Sequence, residues 1–147
     1  MTTTWVVVAH RAGVRILEQR GRKAGLELVH ESDNPEGRLK NSEIDSDGPG
    51  QTTQSGNPGM RDLEKHESAH EHTARTFAKE LADIVDRGRT DGRFGRVVLV
   101  AEPHFLGLLR GSLSTEVTKM VEASVSKDLA NVAIRDLGPH LEGVVRR

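Results

Sequence analysis

The stretch RVVLVAEPHFLGLLR, residues 96–110, joins a strand pattern directly to a helix pattern. The segment Arg96–Glu102 is continuously apolar between its charged ends, as in a strand that is buried on both faces of a sheet. Pro103 follows, and proline suits the first turn of a helix because its missing N–H has no partner there. The apolar side of that helix is formed by Phe105, Leu106, Leu109 and Leu113. The stretch therefore predicts a central strand that leads into a helix.

A long helix is predicted before this strand, over about residues 65–87. Its apolar residues recur at the three- and four-residue spacing of one buried stripe: Ala74, Phe77, Ala78, Leu81, Ile84 and Val85. Gly88 is predicted to stop the helix. A further continuously apolar run, Trp5–Ala9, lies near the N-terminus. Strand, helix and strand in this order predict that the two apolar strands are parallel and joined by a crossover.

The remaining segments complete a mixed sheet. Val14–Glu18 and Leu26–Glu31 alternate in polarity, and their short connections favour an antiparallel meander with the first strand. Alternation over Val121–Val125 predicts a fifth strand, and a last helix carries Ile134 and Leu137 with a kink or restart at Pro139. The order β-β-β-α-β-α-β-α predicts an α/β, ribonuclease-H-like, mixed five-stranded sheet with helices on its faces. We expect one domain over residues 1–147.

Composition limits the classes of function. The chain has 147 residues with 21 basic and 22 acidic side chains, so its charge of -1 gives no argument for bulk nucleic-acid binding. It contains no cysteine, which excludes thiolate chemistry and disulfides. The N-terminus has only a short apolar run that is followed by arginine, so neither a signal peptide nor a membrane span is predicted. We expect a cytoplasmic protein.

A long polar segment separates the third strand from the long helix, over residues 32–64. Glycine and proline recur in it, and few of its residues are large and apolar. It contains the stretch SDGPGQT, residues 46–52, and a run of alternating charge that includes Arg38 and Asp47. A loop of this length is usually either functional or disordered. We therefore expect this segment to contact a partner.

A zinc-binding pattern, His66-Glu67-x-x-His70, occurs where the long helix is expected to begin. On a helix, the two histidines could bind zinc and Glu67 could act as a base. However, the neighbouring residues are polar, and the apolar stripe begins only at Ala74. The interpretation is therefore an exposed, charged start of a helix, with no metal predicted, and a metal-dependent hydrolase is kept as an alternative.

The connection after the strand 96–102 is the other candidate site. In open α/β sheets, ligand crevices lie at the carboxyl ends of parallel strands, and the N-terminal amides of the next helix could hold an anion there. The alternative is a simple turn with a packing glycine at Gly107. Glu102 is the single carboxylate at a strand end, which is too few for a two-metal nuclease site. No catalytic residue and no cofactor is predicted.

The chain resembles a family of bacterial host attachment proteins, described as "protein required for attachment to host cells". The resemblance runs through WVVVAHRAGVRILE, NPEGRLKNSEIDSDGPG, KHESAHEHTARTFAKELADIV, RFGRVVLVAEPHFLGLLRGSLS and SVSKDLANV. The family is in turn similar in fold to the middle domain of archaeal and eukaryotic class-1 peptide-release factors, which carries a Gly-Gly-Gln loop. Here Pro49-Gly50-Gln51 lies in the corresponding loop, and proline removes conformational freedom and an N–H, so Gln51 is not expected to be catalytic.

The resemblance implies a non-catalytic interaction protein with an indirect role in attachment. Its partner is an unknown protein; the alternative is a ribosome- or RNA-associated factor similar to release factors. The residues predicted to bind the partner lie in the long loop, the helix start, the turn after strand 96–102 and the SKDL stretch. They are Arg38, Asp47, Lys65, His66, Glu67, Pro103, Phe105, Gly107, Arg110, Lys127 and Asp128.

Overall fold

A computed structural model describes residues 2–21, 25–35 and 58–141, without the side chains of residues 58–68 and 70. Within these ranges five strands and four helices form. The strands are β1 (Thr4–His10), β2 (Gly13–Gln19), β3 (Glu27–Asp33), β4 (Arg96–Ala101) and β5 (Val121–Ser126). The helices are α1 (Pro58–Thr90), α2 (Pro103–Ser112), α3 (Thr115–Met120) and α4 (Ile134–His140).

The strands form one mixed sheet in the order β3-β2-β1-β4-β5. β1 pairs antiparallel with β2, and β2 pairs antiparallel with β3, as expected for a meander. β1 pairs parallel with β4, and β4 pairs parallel with β5, because helical connections cross over the sheet between them. The predicted α/β class and mixed five-stranded sheet are therefore confirmed, while the specific ribonuclease-H-like assignment stays a prediction.

The structure adds one helix that the sequence analysis did not predict. α3 lies between α2 and β5 and has only six residues. Its N-cap is Ser114, whose hydroxyl oxygen accepts a hydrogen bond from the Val117 amide at 3.1 Å and donates one to Asp86 at 3.0 Å. The cap therefore both starts α3 and ties it to α1.

Both ends of α1 differ from the prediction. The helix begins at Pro58 and not near residue 65, so its first turns fall inside the segment that was predicted to be a loop. It also continues past Gly88 to Thr90. The stop is at Gly92, which has a φ of 70°, with hydrogen bonds from the Arg93 amide to the Gly88 carbonyl and from the Gly92 amide to the Arg89 carbonyl. This is the Schellman pattern, in which glycine takes the left-handed conformation after the helix.

The core has two parts, one on each face of the sheet. On the first face, α1 and α2 cover β1, β2 and β4 through residues that include Leu81, Val85 and Phe105. On the second face, Leu137 and Leu141 cover Val6, Val98 and Val100. Because β1 and β4 are covered on both faces, their side chains are almost wholly buried, as their continuous apolar runs predicted.

A buried carboxylate, Glu18, connects three elements near the amino end of β1. Its oxygens accept hydrogen bonds from the Trp5 indole N–H at 3.1 Å and from Arg20 at 2.7 Å, and Arg93 lies 3.5 Å away. Burial raises the pKa of Glu18, but the hydrogen bonds from Arg20 and Trp5 and the two positive charges outweigh burial, so the pKa lies below its ordinary value. Glu18 therefore remains ionised and joins β1, β2 and the turn before β4.

Candidate functional site at the carboxyl edge of the sheet

The topology brings several polar segments together at one edge of the sheet. β1, β4 and β5 are parallel, so they end on the same side, and β3 ends there too because it is antiparallel to β2. We call this region the carboxyl edge, and we define it as residues 10–12, 33–34, 102–104 and 126–128. Open α/β sheets place their ligands at this edge, which makes it the candidate site.

The N-terminus of α2 is closed by Glu102, the last residue before the helix. Its carboxylate accepts hydrogen bonds from the His104 amide at 3.1 Å and from the Phe105 amide at 2.7 Å. These are the amides that could hold an anion under one of the two interpretations of this turn. The structure favours the other interpretation, a strand–helix turn, because the chain supplies its own carboxylate as the N-cap.

A second contact holds α1 against the same turn. His104 Nε2 lies 2.7 Å from Glu71 Oε1, and Arg75, one turn further along α1, donates to Glu71 Oε2 at 3.0 Å. The hydrogen bond from His104 is the main cause that holds the pKa of Glu71 below its ordinary value, with a further contribution from Arg75. Glu71 is thus a shared acceptor between the long helix and the candidate site.

The end of β3 is attached to the turn between β1 and β2. The Asn34 backbone N–H donates to the Ala12 carbonyl at 2.9 Å, and the Asn34 side chain donates to the Arg11 carbonyl at 2.7 Å. Next to this turn, His10 Nδ1 accepts a hydrogen bond from the Ala12 amide at 3.3 Å. The start of the long polar segment is therefore fixed at the carboxyl edge.

The SKDL stretch forms a tight turn after β5. Asp128 accepts a hydrogen bond from the Ala130 amide at 3.2 Å, as an aspartate at the start of a turn does. Leu129 is buried in the second part of the core, and its carbonyl accepts a hydrogen bond from Arg15 of β2 at 2.9 Å. Arg15 therefore fixes the turn across the second face of the sheet.

The predicted binding residues fall into three groups. Pro103, Lys127 and Asp128 are exposed at the carboxyl edge, and Gly107 and Arg110 are exposed further along α2. Phe105 is 1% exposed, and its ring is tilted against that of Phe77 in the core with centroids 6.0 Å apart. Phe105 therefore cannot contact a partner directly and can shape a crevice only by positioning the residues around it. For the residues around the long loop, less is described: Lys65, His66 and Glu67 have backbone in α1 but no described side chain, and Arg38 and Asp47 lie outside the described residues.

Four residues that organise the edge were not among the predicted binding residues: Arg15, Asn34, Glu71 and His104. Asn34-Pro35 was a recognisable turn signal, since asparagine commonly bonds to nearby backbone. The contact between Glu71 and His104 joins residues 33 positions apart, so no local pattern could have predicted it.

The described residues contain neither a cluster of metal ligands nor a membrane-spanning helix. Among these residues, no group of three or more histidine, aspartate or glutamate side chains is arranged to hold a metal ion. This does not extend to His66 and His70, whose side chains are not described. In the same part of the chain, no helix combines the length and the apolar character that crossing a membrane requires.

The fold and the edge define a class: a mixed α/β domain whose polar groups at the carboxyl edge mainly bond to one another and to backbone. A family model described as "Protein required for attachment to host cells" matches residues 5–141, and the chain belongs to that family. This confirms the family resemblance.

Comparisons with other proteins add little to this assignment. No curated protein matches the chain. A solved structure described as "Archaeal protein" is similar with a TM-score of 0.46 and 12% sequence identity, over 85% of this chain and 30% of that chain. This chain thus corresponds to under a third of that protein's length. The similarity to release factors stays a prediction.

Proposed function

We propose that this protein takes part in attachment to host cells as a non-catalytic interaction factor that binds a partner protein at the carboxyl edge. The family supports the general role. The observation that carries the non-catalytic part is the arrangement of Glu102, Glu71 and Asp128. Each carboxylate accepts hydrogen bonds from backbone amides or from neighbouring cations. Such hydrogen bonds fix the positions of the groups that form the surface.

The partner would contact the exposed side chains that project from this ordered edge. Lys127 lies directly after β5 in this edge. Arg110 lies two turns further along the exposed side of α2 and extends the proposed contact surface beyond the edge. The long polar segment would add contacts, because Asn34 fixes its start at the edge, and the contact between Glu71 and His104 fixes α1, which follows it. Arg38, Asp47, Lys65, His66 and Glu67 belong to this proposal as sequence predictions. A cytoplasmic, indirect role is also part of it.

The test is a complementation experiment. The gene is deleted from the cells, one of four versions is put back, and attachment to host cells is measured. The four versions are the wild type, a version without residues 38–55, Arg110→Glu combined with Lys127→Glu, and Lys79→Glu. Lys79→Glu is the matched control, because Lys79 is an exposed cation on α1 outside the proposed site. We expect the deletion and the double variant to lose attachment and the control to retain it, with all four proteins equally abundant and folded.

Full attachment by both the deletion and the double variant would contradict the proposal. Fractionation of the same cells tests the location, since recovery at the cell surface would contradict the cytoplasmic role. Sedimentation of the wild type with ribosomes at low salt, weakening as salt rises, would instead support the release-factor-like alternative.

A further inference from the structure

The two outer strands of the sheet differ in how they are protected from pairing with other strands. β3 carries the acidic side chains Glu27, Glu31 and Asp33, all exposed. Charged residues on an edge strand discourage strand addition. β5 has no charged residue in its stretch from Ala123 to Ser126, and among the described residues no strand covers its outer side. β5 is therefore the edge at which a further strand can pair.

The charges around β5 are not balanced. Glu122, the single acid within the strand, lies 3.5 Å from Arg96 of β4 and is compensated by it. Arg110 reaches from α2 toward β5, with its guanidinium 3.5 Å from the Ser124 hydroxyl, which is a long and weak contact. Lys127 is exposed at the end of the strand. Because Arg96 compensates Glu122, the two cations Arg110 and Lys127 exceed the one remaining acid among the described residues, Asp128, so the net charge beside this edge is positive.

The surface of α2 has open space on its exposed side. A Cβ atom added at Gly107 or at Gly111 would meet no atom within 4 Å. Both glycines are exposed and lie one turn apart, on either side of Arg110 in the sequence. Because both positions lack a side chain, the space beside Arg110 is open to a segment of another protein.

We propose that the outer edge of β5 binds an extended segment of the partner protein by strand addition, with an acidic side chain of that segment next to Arg110. Main-chain hydrogen bonds to β5 would provide affinity, and Arg110 and Lys127 would select for acidic sequence. This proposal rests on the proposed function, since it states the chemistry of the partner at two residues of that site. It commits to a partner peptide and not to a second copy of the chain.

The probe for the test is a displayed library of random eight-residue peptides, selected on the full-length protein. We expect the enriched peptides to alternate β-branched residues with other residues and to contain at least one aspartate or glutamate. One enriched peptide, labelled with a fluorophore, is then titrated with the wild type, Arg110→Glu and Lys79→Glu. Charge reversal at Arg110 should weaken binding about tenfold, and the control should change it by less than about twofold.

Hydrogen–deuterium exchange then locates the bound peptide. We expect the peptide to slow exchange of amides in Val121–Ser126 and to leave Glu27–Asp33 unchanged. Protection elsewhere, or equal binding by Arg110→Glu, would overturn the proposal. Self-association of the chain that protects β5 without peptide would also overturn it, because a second copy of the chain would then be the occupant.

The two proposals fail in different ways. If attachment depends on Arg110 and Lys127 but no peptide protects β5, the attachment role stands and strand addition is wrong. If an acidic peptide protects β5 but the double variant attaches normally, strand addition stands and the carboxyl edge is not what attachment uses.

Discussion

Two helical glycines of this chain, Gly88 and Gly107, have opposite surroundings: the first is tightly packed and the second has open space around it. Gly88 is buried in α1 beneath Trp5, and a Cβ atom there would lie 2.4 and 2.6 Å from two carbons of the indole ring. Trp5 cannot move aside easily, because its ring also packs on Phe94 with centroids 4.8 Å apart. Gly107 lies in α2 with open space around the same added atom. The close approach of the Trp5 ring explains why position 88 is glycine. At position 107 no neighbouring atom requires the absence of a side chain.

We predict opposite effects of the same substitution at these two sites. Gly88→Ala should lower the free energy of unfolding by about 1–3 kcal/mol, because overpacking exceeds the gain in helix propensity. Gly107→Ala should raise it by about 0.5–1 kcal/mol, because only the propensity gain applies. Urea denaturation followed by circular dichroism measures both values. A stabilising Gly88→Ala would show that the indole ring is free to move.

At the scale of elements, α1 shows why its ends were misplaced by the sequence analysis. The apolar stripe in its sequence begins at Ala74, whereas the helix itself begins at Pro58. The first turns have no apolar stripe, so periodicity could not detect them. The pair Asn57-Pro58 was the better signal, since asparagine favours the N-cap and proline the first helical position.

Glu18 yields a prediction at this scale, because it joins β1, β2 and the turn that leads to β4. Its pKa is lower in the folded chain than the ordinary value of 4.5. The stability that it contributes is therefore complete above that value and is lost as the pH falls through the lower folded pKa. Glu18→Gln should lower the free energy of unfolding by about 1–3 kcal/mol at neutral pH.

The measurement is urea denaturation of the wild type and Glu18→Gln at several pH values from neutral to below 4. The difference between the two proteins should shrink once the pH is below the ordinary pKa of glutamate. Glu80→Gln is the control, because Glu80 is exposed on α1 and should change stability by less than about 0.5 kcal/mol. A difference that does not depend on pH would mean that the charge of Glu18 does not matter.

At the scale of the whole molecule, the sheet is the single layer that both parts of the core share. Trp5 reports on the first face near the amino end of β1, and it is the chain's one tryptophan. Leu137 of α4 is fully buried on the second face. If the domain unfolds as one unit, a cavity on the second face must lower the stability that Trp5 reports.

We predict that Leu137→Ala lowers the free energy of unfolding by about 2–5 kcal/mol, as buried leucine-to-alanine changes do. Trp5 fluorescence and circular dichroism should give the same transition midpoint in urea. The control is Leu28→Ala, which truncates a leucine that is 38% exposed and should have a much smaller effect. A Trp5 transition unchanged by Leu137→Ala would show that the two faces unfold separately.

The sequence by itself determined the elements that depend on local pattern. The apolar runs of β1 and β4 and the stripe of α1 predicted a mixed α/β sheet, because burial on one or both faces imposes a period on the side chains. The short helix α3 was not predicted, since six residues with one buried valine show no helical periodicity of apolar residues. Of the candidate site, the sequence indicated the turn at Pro103 and the SKDL stretch.

The tertiary structure decided which of those residues are available to a partner. Glu102 occupies the helix amides, Phe105 lies in the core, and Asp128 bonds within its own turn. The tertiary structure also brought Glu71 into contact with His104. It placed β5 and β3 at the two edges of the sheet, and of these two β5 is the edge that, along most of its length, has no charged side chains to discourage strand pairing. The cap at Glu102 and the turn at Asp128 are contacts between residues two or three positions apart, which local sequence can indicate. The contact between Glu71 and His104 and the position of β5 at the edge depend on groups that are far apart in the chain and meet only when the sheet is assembled, so local sequence cannot contain them.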